Sequence, residues 1–191
     1  MKLSAAFSAL ALALTARAAP SADYDRCTVA RAQADGLRDD YQPWIEQLFS
    51  PCVGPASNFW STKTCIAAAI AMGPRTIVDF ATCDKASTPD QASQPDLDES
   101  LYGEIGDITP QKLLDLVYGE LSAINASIWP ESGDEILEDV IGPVFTWAGE
   151  SPISYERFNK WLHDSGYISI ITDDEHTSGK TYYYDHEDDK P

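Results

Sequence analysis

Positive charge is scarce in this chain. Thirteen Lys and Arg stand against 31 Asp and Glu, a formal net charge of −18 over 191 residues. So acidic a surface repels phosphate backbones and anionic headgroups, which excludes nucleic acid as a partner and disfavours phosphorylated substrates. It favours cationic partners, and it also keeps a protein in solution. Cysteine is absent from the second half, and histidine is limited to His163, His176 and His186. There is no C-x-x-C, no G-x-S-x-G, no calcium-loop pattern and no internal repeat, so none of those routes to a metal, a nucleophile or a solenoid is open. Beyond the N-terminus no apolar run has the roughly 20 residues a membrane span needs. The acidic C-terminus is unlike a lipid-anchor tail.

The N-terminus is different in kind. Lys2 precedes Leu3 to Leu14, which is small and apolar apart from Ser4 and Ser8, and Ala16-Arg17-Ala18 follows. A charged start, a short apolar core and a small-x-small end make a secretory signal peptide, residues 1–18, cut after Ala18 or Ala19. The remainder, 19–191, has the size of a single secreted domain that buries its own core. Loss of Lys2 and Arg17 makes it more acidic still.

An even set of cysteines outside the cell is expected to pair fully. Cys27, Cys52, Cys65 and Cys83 therefore form two disulfides, in any of three connectivities, all in the first half. Their spacing does not suit zinc. Asn125-Ala126-Ser127 is the single N-glycosylation sequon.

Apolar periodicity indicates helices through most of the chain. Cys27, Ala30, Ala34, Leu37, Tyr41, Ile45 and Leu48 step by three or four, with a break that lets Pro43 open a second short helix. Ser50 to Pro55 reads as a loop. A helix over Phe59 to Met72, with Ile66, Ala69, Ile70 and Ala71 as its apolar part, stops at Gly73-Pro74, and another follows to Thr82. Residues 84–107 are rich in Asp, Glu, Ser and Pro and read as an acidic loop or linker. Thr109-Pro110 starts the clearest amphipathic helix, with Leu113, Leu114, Val117, Leu121 and Ile124. Ser132 to Glu135 forms a capping box for a helix kinked at Gly142-Pro143. Ser151-Pro152 opens a last helix, with Tyr155, Phe158, Trp161 and Leu162 on one side and Gly166 at its end. Tyr167 to Ile171 and Thr181 to Tyr184 are β-favouring and suggest a hairpin, and 185–191 is a frayed acidic tail. The fold class is mainly α: a small disulfide-stapled helical domain with a short C-terminal β-hairpin.

Candidate chemistry is thin. The helix-then-hairpin order suggests a winged DNA reader, but the charge is of the wrong sign. His163-Asp164-Ser165-Gly166 reads as a helix C-terminus, with His163 favoured by the dipole, and lacks the turn a nucleophilic serine needs. His176 and His186 sit among acids in a loop and a tail, which is no rigid cage, so no metal and no cofactor are expected. Glu150 and Glu156, beside Trp147 and Tyr155, are the carboxylates nearest in style to a glycosidase pair. Trp60 and Trp129 fall at helix edges, where indoles form contact surfaces or cap cores, Trp44 is not assigned, and Trp161 suits a core face. Tyr182, Tyr183 and Tyr184 are a candidate contact patch, because alternate strand residues face opposite ways.

Signal, size, four cysteines and acidity together resemble the general class of small secreted proteins that fungi release, a resemblance that carries no residue roles. The reading is a secreted, extracellular, acidic, non-enzymatic binding or interaction protein, effector-like, with a cationic partner surface. The alternatives are a small carboxylate-dependent hydrolase and a helical carrier of an apolar ligand.

Overall fold

A computed structural model describes residues 27–28, 30–31, 43–53, 59–82, 94–171 and 180–185, the backbone alone for 53, 166–171 and 180–185. The protein is mainly helical. We label the helices α1 (Trp44–Phe49), α2 (Lys63–Met72), α3 (Pro74–Thr82), α4 (Glu99–Ile105), α5 (Pro110–Ala123), α6 (Gly133–Glu135), α7 (Gly142–Ala148) and α8 (Tyr155–Asp164). Residues 27, 28, 30 and 31 are helical too.

The centre is α2. All of Cys65 to Met72 is buried, where the sequence marked only one apolar side. Four alanines, Ala67, Ala68, Ala69 and Ala71, set among Ile66 and Ile70, explain this. Small side chains let α1, α3 and α5 approach from three directions, and a helix apolar all round belongs inside a core. Thr62 caps its start, accepting from the Cys65 N–H at 3.3 Å. Gly73 ends it at φ 83, a backbone region open to glycine at little steric cost. Pro74 then opens α3 at a bend of 107°. No single helix among the described residues is long and apolar enough to cross a membrane.

Within α3, Asp79 is fully buried and pairs with Arg75 at 3.3 Å, one turn before it. A buried carboxylate needs such a partner to remain charged at tolerable cost. Phe80, on the same helix, meets Phe49 edge to face at 4.8 Å.

A Cys52–Cys65 disulfide, with Cα atoms 5.5 Å apart, joins the chain after α1 to the start of α2. Ser50–Val53, expected as a loop, is a turn of 3-10 helix that delivers Cys52 to that bond. Cys27 is also disulfide-bonded. Cys83 lies outside the described residues.

The acidic stretch is not all loop. Asp98 caps α4, accepting from the N–H groups of Ser100 at 2.7 Å and Leu101 at 3.4 Å. Leu97, Leu101 and Ile105 recur every four residues and are buried. The segment is fastened to α8: the Leu97 N–H donates to Asn159 Oδ1 at 2.8 Å, and the Tyr155 hydroxyl donates to the Leu97 carbonyl at 2.6 Å. Tyr102 donates to the Ile153 carbonyl at 2.9 Å, and Ile108 and Ile153 form an isolated antiparallel bridge.

Helix α5 starts as expected, with Thr109 as cap and Pro110 first. Leu116 takes a core place beside Leu113, Val117 and Leu121, and Leu114 is only half-buried. Ser132 caps α6, which runs through a π-helical turn, Ile136–Ile141, into α7. Pro143 has no N–H to offer the ladder there. Instead the Gly142 N–H reaches the Leu137 carbonyl, and a Cβ on Gly142 would stand 3.3 Å from that oxygen. The kink expected at Gly142-Pro143 is thus a helical bulge. The cap of α8 is Ser154, not Ser151, because Ile153 is held in its bridge to Ile108 and the helix starts only after it. The helix ends at Asp164, with Ser165 already extended, so Gly166 is not its stop.

Candidate interaction surface

Two large apolar side chains are exposed among the described residues: Ile128 at 43% and Trp129 at 44%. They are neighbours, in the connection between α5 and α6. That connection is fixed. At the end of α5 the Ala126 N–H returns to the Leu121 carbonyl at 2.9 Å and the Asn125 N–H to the Ser122 carbonyl at 3.1 Å. Asn125 takes φ 54, a left-handed conformation that asparagine tolerates at a helix end.

Gln47 of α1 then holds the next two residues. Its Oε1 accepts from the Ser127 N–H at 2.6 Å, the Ser127 hydroxyl at 3.1 Å and the Ile128 N–H at 3.4 Å. Its Nε2 donates to the Ile128 carbonyl at 2.9 Å. The amide serves both edges of the backbone, as one strand would serve another. The Trp129 indole N–H donates to the Ala126 carbonyl at 3.0 Å, and its ring stacks on Tyr118 of α5, with centroids 6.1 Å apart and planes 18° apart. The exposed ring is therefore held in one place.

The chain on either side of it is acidic. No Lys or Arg occurs between Lys112 and Arg157. Glu131, Asp134 and Glu135 follow Trp129 in the chain and are exposed, and a Cβ on Gly133 would stand 3.9 Å from the Tyr118 hydroxyl. Glu46, next to Gln47, is exposed as well. A rigid apolar spot in a negative field suits a partner with an apolar anchor and positive charges around it.

Other residues marked in the sequence have structural roles or lie elsewhere. Trp60 is fully buried, as are Trp161 and nearly so Trp44, so Trp60 is core and not an edge contact. Phe59-Trp60-Ser61 is a short 3-10 turn that tucks both rings under α2. Trp147 is partly buried, with the Lys160 ammonium 5.6 Å from its ring centre. Glu150 accepts from the Ser154 N–H at 2.9 Å and hydroxyl at 2.6 Å, so it supports the cap of α8. Those hydrogen bonds hold its carboxyl below the ordinary range, which suits a cap and disfavours a proton donor. Glu156 is exposed on the first turn of α8. Burial, then neighbouring carboxylates, raise the hydroxyls of Tyr102 and Tyr155. His163 Nε2 lies 3.5 Å from Asp96 Oδ1, which also accepts from Asn159 at 2.7 Å. Ser165 is buried at the end of α8.

No group of three His, Cys, Asp or Glu side chains among the described residues is placed to hold a metal. His176, His186 and the signal segment 1–18 lie outside the described residues, and the side chains of Tyr182, Tyr183 and Tyr184 do too. The sequence pointed to Trp129 and Asn125 separately. It did not mark Ile128, Tyr118 or Gln47. The one available signal was Ile128-Trp129-Pro130 following a helix end, an apolar pair where polar residues are usual.

No protein family, curated protein or solved structure matches this chain.

Proposed function

We propose that this is a secreted, non-enzymatic binding protein whose contact surface is Ile128 and Trp129 with their acidic rim, and whose partner is cationic with an apolar anchor. The observation that carries the reading is the immobilised exposure of Trp129. An indole stacked on Tyr118 and tied to the Ala126 carbonyl loses little freedom on binding, which favours it as an anchor. The Cys52–Cys65 disulfide is in keeping with an oxidising compartment, and the signal pattern of 1–18 supports export. The C-terminal hairpin belongs to the same reading. It would set the tyrosine run, Tyr182 to Tyr184, on a two-stranded ribbon, and the β-favouring residues Tyr167 to Ile171 and Thr181 to Tyr184 are what support it.

The test is calorimetric titration of the mature protein with an amphipathic Lys/Leu peptide. Binding is expected to weaken by about tenfold or more in the Ile128→Ser, Trp129→Ala double variant, the loss typical of an anchor residue. Equal binding by both proteins, or none by either, counts against the reading.

A further inference from the structure

We infer that an N-linked glycan on Asn125 covers the Trp129 ring, so that glycosylation closes the apolar end of the contact surface. The inference rests on export of the protein, and it concerns regulation of the surface proposed above.

Asn125 is exposed just past the last turn of α5, in a backbone held by two hydrogen bonds to that turn. Its neighbour Ala126 provides the carbonyl on which the Trp129 indole N–H rests, at 3.0 Å. The ring therefore lies against the residue next to the attachment point, and neither end of this short distance is free to swing away. Tyr118 takes one face of the indole. The remaining exposed area is apolar and rigid, the kind of surface on which the C–H-rich face of a sugar packs. The first sugars on Asn125 have this surface within reach and no other exposed aromatic ring among the described side chains competes for them. A covered Trp129 leaves Ile128 as the apolar contact.

The order of events also follows. The Ser127 hydroxyl, which completes the sequon, donates to Gln47 Oε1 at 3.1 Å in the folded chain. Attachment therefore precedes the seating of α1 against this loop. In that step Asn125 Nδ2 bonds to the anomeric carbon of a lipid-linked oligosaccharide diphosphate. The bond from that carbon to the diphosphate breaks, the carrier leaves as its diphosphate, and the amide gives up one proton.

The experiment uses the mature chain secreted from a glycosylating eukaryotic host. Mass spectrometry reads the occupancy of Asn125. Acrylamide quenching of tryptophan emission is then measured before and after removal of the glycan by peptide N-glycosidase. Trp44, Trp60 and Trp161 are buried and Trp147 is partly buried, so the Trp129→Phe variant is needed to assign the change to Trp129. The quenching constant is expected to rise on the order of twofold on removal, as one covered ring face is exposed. Trp129→Phe should abolish the rise. An unmodified Asn125 in that host overturns the inference, and so does a quenching constant that removal leaves unchanged. No binding partner enters this measurement. A shielded Trp129 in a protein that ignores the Lys/Leu peptide supports the inference and retires the cationic docking reading alone.

Discussion

The side-chain amide of Gln47 accepts the backbone N–H of Ser127 at 2.6 Å, across 80 positions of sequence. With its bonds to Ile128 it fixes a connection that has no regular structure of its own. Gln47→Ala should lower stability by about 1–2 kcal/mol, since each such hydrogen bond contributes roughly 0.5–1.5 kcal/mol net and water replaces part of the loss. Hydrogen exchange at the Ser127 and Ile128 amides should quicken more than exchange elsewhere. Unchanged protection at these two amides would show that Gln47 does not hold the loop.

Asn125 is the one non-glycine residue at positive φ among the described residues. Asn125→Ala should cost about 1 kcal/mol, the penalty for a Cβ without asparagine's local hydrogen bonding in the left-handed region. Asn125→Gly should be close to neutral. Chemical denaturation of unglycosylated protein compares the two directly.

Leu97→Ala tests whether the acidic stretch is structure or spacer. Leu97 is buried and both its backbone polar groups are bound by α8. Truncation should cost about 2–5 kcal/mol, as for other core leucines, and should expose 94–107 to proteolysis. A linker would tolerate the change.

Much of the fold was legible where a local signal sufficed. Thr109-Pro110, Gly73-Pro74 and Ser132 mark their helix ends by chemistry confined to a few residues, and the structure places those ends there. Helix α4 was hidden because the stretch around it, 84–107, is rich in Asp, Ser and Pro, while only Leu97 before the helix and Leu101 and Ile105 within it carry the core side. Those three are enough because α8 supplies the rest of the fastening through Asn159 and Tyr155. The seam at Ser154 was misplaced to Ser151 because a proline near a serine imitates a cap, and the Ile108–Ile153 bridge is a tertiary fact. Of the candidate surface, Trp129 was legible as an edge residue. Its rigidity depends on Gln47 and Tyr118, which reach it through folding and leave no trace in local pattern.

Acid should weaken the two side-chain caps. Hydrogen bonds from Ser100 and Leu101 lower the pKa of Asp98 below its ordinary 3.8, and those from Ser154 lower that of Glu150 below 4.5. A group depressed by folding adds stability above its unfolded pKa and loses it as pH falls through the folded value. The contribution is thus complete at pH 6 and disappears below about pH 4, towards strongly acid solution. Asp98→Ala should melt below wild type at pH 6, and the gap should narrow as pH approaches 2. A gap independent of pH contradicts the cap's ionic character.

With Cys52 and Cys65 joined to each other and Cys27 disulfide-bonded, Cys83 is the partner left for Cys27. A peptide map without reductant should contain a Cys27–Cys83 cross-linked pair that reduction splits. Intermolecular dimers through Cys27 would contradict that pairing.

Where a cationic partner touches the protein is read most directly from amide chemical shifts. Isotope-labelled, unglycosylated mature protein is titrated with the Lys/Leu peptide, and the perturbed resonances are assigned. The expected result is a shift of the Trp129 indole N–H with the amides of Ser127, Ile128 and Glu131, and the side-chain amide of Gln47. Perturbation centred on α8 or on the C-terminal tyrosine run, with the Trp129 indole unmoved, would contradict the assignment of the contact surface to this loop.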